Sequence, residues 1–94
     1  MNPRVAKCHR NFGDAYMLAA NASMRQAENS TNPDVYSRTR KATSKTATEA
    51  AREYAMGAIV LGFAFGKDHA ETVELEKRKQ WATEFSQTAI KGIF

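Results

Sequence analysis

On an α-helix, Arg38, Lys41, Lys45 and Arg52 fall at offsets of 3, 4 and 7 residues and share one face. Arg40 sits beside that line, and Tyr36 stands near its start. Guanidinium and ammonium groups in a row suit phosphate oxygens through charge-assisted hydrogen bonds. An aromatic ring offers a base something to stack on. Hydroxyls of Thr39, Ser44 and Thr48 are close by in the chain. The candidate ligand-binding set is therefore Tyr36, Arg38, Arg40, Lys41, Lys45 and Arg52, and the ligand it fits is nucleic acid or a nucleotide messenger. The alternative is a solvated face that stays polar because nothing packs on it. No helix-turn-helix, zinc or RNA-binding motif accompanies the stripe.

The other reactive side chains form no comparable pattern. His9 and His69 are separated by most of the chain, and Cys8 is the single cysteine. That leaves no set of four ligands at zinc spacing. Cys8 and His9 diverge by about 100° around a helix, so they do not pair as nucleophile and base. Cys8 reads instead as a small apolar member of a helix seam. Glu71, Glu74 and Glu76 read as a helix start rather than an acid/base pair. Gly57, Gly62 and Gly66 follow no strand and precede no Lys-Ser or Lys-Thr, so they form no phosphate loop. The residues point away from an enzyme, and they call for no metal or cofactor.

Composition sets the class. A chain of 94 residues with 43% hydrophobic and 26% charged residues is one small globular domain, residues 1–94. One cysteine excludes an intrachain disulfide, which favours a reducing, cytoplasmic compartment. The N-terminus has charge but no apolar core behind it, unlike a signal peptide. Net charge is +4, with the excess of basic side chains in the first half of the chain. That asymmetry suits an anionic partner.

Three helices must position these groups. The first spans about residues 3–27. Val5, Cys8, Phe12, Ala15, Ala19 and Ala22 give it a heptad-like seam flanked by Tyr16 and Met24, and Gly13 is a possible kink. Asn32 is a good N-cap for the second helix, Pro33 suits its first position, and Asp34 complements its dipole. Nothing between Pro33 and Tyr54 stops it. The third helix opens with a capping box, Asp68 and Glu71. Leu75, Ala82, Phe85, Ala89 and Ile93 line one side of it. Trp81 and Phe85, one turn apart, read as core, and the apolar C-terminal Ile93 and Phe94 are expected to dock.

Residues 54–66 carry no charge. The run is shorter than the roughly 20 apolar residues a membrane span needs. As a helix it has no polar face. Branched and aromatic residues between glycines also allow a short strand over residues 59–66, but no second strand is available to pair with it. The expected fold is therefore an all-α small helical bundle with a long central helix, completed by homo-oligomerisation, with a dimer favoured. Ala55, Ala58, Ile59, Gly62, Phe63 and Phe65 are the candidate interface. The expected function is a non-enzymatic, oligomeric binding protein whose basic face engages a phosphate-rich ligand. The competing expectation is a protein–protein interaction module, an adaptor or inhibitor of a larger complex such as a phage or plasmid accessory protein.

Overall fold

The side chain of Asn2 accepts the Arg4 backbone N–H at 2.9 Å, and Pro3 occupies the first helical position, where a missing N–H costs nothing. These residues start the first of three helices in the computed structural model, which describes residues 2–91. The helices are α1 (Pro3–Glu28), α2 (Pro33–Phe65) and α3 (Ala70–Lys91). No strand occurs among the described residues. The expected docking of Ile93 and Phe94 lies outside them.

α1 is continuous through Gly13, with no kink needed. The seam it buries is Ala6, Gly13, Met17, Ala20, Met24 and Ala27. The expected seam is offset from this one. Val5 is 44% and Phe12 58% exposed, and Cys8 is exposed rather than packed. Met24, expected at the flank, is core. Both series have heptad-like spacing. The one that wins is built mainly on alanine and glycine, which let two backbones approach, with methionines filling the gaps.

Gly13 shows why small residues are required there. A Cβ on it would lie 2.6 Å from a Tyr54 ring carbon, and the Tyr54 ring is itself fully buried. Alanine should gain about 1 kcal/mol in helix propensity but force a rigid buried ring to move, an overpacking cost of about 1–3 kcal/mol. The Gly13→Ala protein should therefore unfold at lower denaturant concentration than the parent. An unchanged or higher midpoint in a urea titration would contradict the close packing.

α2 begins where the Asn32 side chain accepts the N–H groups of Asp34 and Val35, and it runs for 33 residues. Residues 59–65 are helix, not strand. Gly66, at φ +94°, turns the chain into a backbone region that a side chain would strain. α3 does not use the expected box of Asp68 and Glu71. The Glu71 N–H donates to His69 Nδ1 at 3.3 Å, and the His69 ring stacks on Phe65 with centroids 4.9 Å apart. The chain leaving Gly66 reaches Ala70 before the helix starts, so the cap falls one residue later than Asp68.

α1 and α3 each pack along α2 and meet one another at few points. The assembly measures 48 × 19 × 14 Å. Its main core joins Met17, Tyr54, Leu61 and Leu75 across a bed of alanines. A smaller cluster of Met24, Ala27 and Ala89 sits at the other end, with Tyr36 and Phe85 against it. Trp81 is not core: it is 46% exposed on α3. The threonines of α2 are accommodated by back-bonding. The Thr43, Thr46 and Thr48 hydroxyls donate to the carbonyls of Thr39, Ala42 and Ser44 at 2.8–3.0 Å.

Candidate functional site

The face of α2 that points away from both neighbours carries two contrasting halves. Arg38, Lys41, Lys45 and Arg52 are all exposed along its N-terminal part. Arg52 Nη1 reaches Glu49 Oε1 at 3.3 Å, a surface pair with little hold on the cation. From Arg52 the same face continues at offsets of 4, 3 and 4 through Met56, Ile59 and Phe63. These are 42%, 54% and 78% exposed. A row of cations thus runs into a row of apolar side chains on one side of one helix.

Two members of the candidate ligand set are committed elsewhere. The Arg40 guanidinium turns toward α3, where Nε donates to the Ala89 carbonyl at 2.9 Å and Nη2 donates to the Ile90 carbonyl. Tyr36 lies beneath it, with the guanidinium carbon 5.3 Å from the ring centroid. The guanidinium caps the last turn of α3, where carbonyls have no partner within their own helix, and the Tyr36 ring lies against it. Two of the hydroxyls expected beside the stripe also turn toward α3. Ser44 and Thr48 meet Ser86 of α3 at 2.8 and 2.9 Å. Replacing Arg40 with alanine should cost about 1–2 kcal/mol, since two charged hydrogen bonds are lost. It should leave ligand affinity almost unchanged. A large affinity loss with no loss of stability would return Arg40 to the site.

Of the candidate interface residues, Ile59, Phe63 and Phe65 are exposed, and Ala55 and Gly62 are half-buried. Ala58 faces its own chain at 3% exposure. The uncharged run is therefore covered on one side by its own helices, through Tyr54, Gly57, Ala58, Val60 and Leu61, and open on the other.

One polar network was not legible from spacing. The Tyr54 hydroxyl donates to Asp14 Oδ1 at 2.5 Å, and Arg78 Nη1 donates to both oxygens of the same carboxylate at 2.8 and 2.9 Å. One residue from each helix meets there. Burial, reinforced by the Asp14 carboxylate, holds the Tyr54 hydroxyl well above the ordinary tyrosine range, so it stays a donor. The clue in the sequence is that Tyr54 supplies the polar group of an otherwise apolar run. His9 Nδ1 and Glu53 Oε2 lie 2.6 Å apart, half-buried, and tie α1 to α2.

A cleft of about 90 Å³ between the N-terminal parts of α1 and α3 is lined by Lys7, Arg10, Glu71 and Glu74 above Ala6, Leu61 and Leu75. Ligand pockets run from about 300 Å³ upward, so this cleft is smaller than one. No metal-ligating cluster occurs among the described residues. No described helix is long and apolar enough to cross a membrane. Comparison with protein-family models, with curated proteins and with solved structures finds no match to this chain.

Proposed function

We propose that this chain is a non-enzymatic, self-associating binding protein whose α2 ridge holds the phosphate backbone of a nucleic acid. The observation that carries the reading is the exposure of Arg38, Lys41, Lys45 and Arg52 on one helical face. At 1.5 Å per residue the four span about 21 Å. An extended polyanion fits such a ridge better than a nucleotide messenger does. Small ligands need a concave pocket. The groove beside the ridge is lined by Ser23, Gln26, Val35, Thr39 and Ala42, with Arg38 as its one member of the four. The exposed, unpaired Cys8 fits a cytoplasmic setting.

A second reading, a protein–protein interaction module, draws support from the exposure of Phe63. Salt dependence separates the two. Four phosphate contacts give a slope of about −3.6 in log K against log salt on duplex DNA, or roughly a 150-fold loss between 50 and 200 mM. Fluorescence anisotropy with a labelled 20-base-pair duplex measures it. A flat response would sink the phosphate reading and leave the module.

A further inference from the structure

We propose that a second copy of this chain packs antiparallel on the apolar half of the outer face, and that the resulting dimer bridges two polyanion segments. The pairing stands on the geometry alone. Only the identity of what the ridges hold rests on the function proposed above.

The apolar patch spans two helices. His9 and Glu53 meet on the outer side of the contact between α1 and α2, and Gly13 lies on Tyr54, so the two helices run antiparallel in known register. Rotating around α1 from His9 away from α2 brings Val5 and Phe12 onto the same side as Met56, Ile59 and Phe63. All five are at least 42% exposed.

Their spacing has a two-fold built into it. Val5 and Phe12 are seven residues apart and straddle the level of Cys8 and His9. Met56 and Phe63 are also seven apart and straddle Ile59. Ala6 and His9 flank Gly57, so the two midpoints lie within about one turn of each other along the molecule. A two-fold axis across the helices at that level seats Val5 of one copy opposite Phe12 of the other, and Met56 opposite Phe63. Ile59 meets its own counterpart.

Area and charge select this partner and this direction. With side chains of roughly 150–250 Å², the exposed fractions leave about 500 Å² open per copy. Pairing two copies covers about 1,000 Å², the threshold for a biological interface and the range of weak, reversible ones. The polar pair inside the patch, His9 with Glu53, is bonded within each copy, so an identical patch need supply no partner for it. A parallel pair would lay α1 of each copy along α2 of the other and cover Arg38, Lys41, Lys45 and Arg52. The antiparallel pair carries the basic ridges beyond each other's ends instead. Each ridge then emerges at one end, the two facing opposite directions, so one dimer holds two polyanion segments rather than one.

Cys8, the single cysteine, reports the arrangement. In the antiparallel pair, α1 lies over α1 and the two Cys8 residues sit near the two-fold, about one interhelical distance, roughly 8–10 Å, apart. In a parallel pair they lie on opposite flanks. A bismaleimide of about that reach should convert most of the protein to a covalent dimer. The double variant Ile59→Glu/Phe63→Glu changes only exposed positions. It should keep its helical circular dichroism and lose the cross-link.

The same proteins are then given a bead-bound 20-base-pair duplex and a second, labelled duplex. The parent should capture the label, and the double variant should bind the bead yet capture less than a tenth as much. A parent dimer that does not cross-link through Cys8 overturns the pairing. A parent that binds one duplex and captures no second overturns the bridging. If no duplex binds at all, the reading of the ridge fails and bridging with it, while the cross-link still decides the pairing.

Discussion

Reversing Arg38, Lys41 and Lys45 together to glutamate should lower duplex affinity about a thousandfold at 50 mM salt. Each phosphate contact contributes roughly one decade at that salt through released counterions, and three of the four contacts are removed. The remaining slope should fall from about −3.6 to about −0.9. The fold should survive. All three side chains are exposed, and the contact recorded for Arg38 is a 3.4 Å reach to the Asp34 carbonyl in its own helix. The comparison with Arg40→Ala makes the test specific. Arg40 is as close in sequence as any of the three, yet its charge is committed to the end of α3. A triple variant that binds as tightly as the parent, with the same slope, would mean that the ridge is a solvated surface.

The largest effect on stability is expected at Tyr54. Its ring is fully buried between the helices and lies on Gly13, and its hydroxyl donates to Asp14. Truncating an aromatic core residue to alanine costs about 3–5 kcal/mol, against a total stability of about 5–15 kcal/mol for a domain. The Tyr54→Ala chain should therefore be close to unfolded at 37 °C by circular dichroism. Tyr54→Phe keeps the packing and leaves Asp14 paired with Arg78, so it should cost only about 1–2 kcal/mol.

The same site gives a pH dependence. The folded hydroxyl ionises well above the ordinary tyrosine value of about 10, so the unfolded chain loses its proton first. The contribution is complete below that value and declines as pH rises through and beyond it. Tyr54→Phe should show a smaller loss of stability between pH 9 and 11 than the parent. Equal alkaline losses in the two proteins would contradict the buried hydroxyl.

Local chemistry in this chain was legible where one residue decides the outcome. Asn32, Pro33 and Asp34 mark the start of α2, because a cap depends on the residue in place. Faces were harder to read. On α1, the row from Val5 to Ala22 and the row from Ala6 to Ala27 have similar periodicity, and hydrophobicity favours the wrong one. Close approach to Tyr54 favours the right one, and that appears only when α2 is alongside.

The same limit applied to the stripe. Periodicity placed Arg38, Lys41, Lys45 and Arg52 on one face. It could not show that Arg40 would be drawn across Tyr36 to the carbonyls of Ala89 and Ile90, 49 and 50 residues away in the chain. The Asp14, Tyr54 and Arg78 network is long-range in the same way. Trp81 illustrates a further difficulty. Its large apolar surface suggests the core, but α1 and α3 meet too sparsely to cover it.

The measurement that bears most directly on this account is the mass of the purified protein in solution by light scattering, from micromolar to millimolar concentration. The open half of the α2 face predicts twice the 10.5 kDa of one chain at the upper concentrations. It also predicts a return to 10.5 kDa when Phe63 is replaced by glutamate. A parent protein that stays at 10.5 kDa up to millimolar concentration would contradict it.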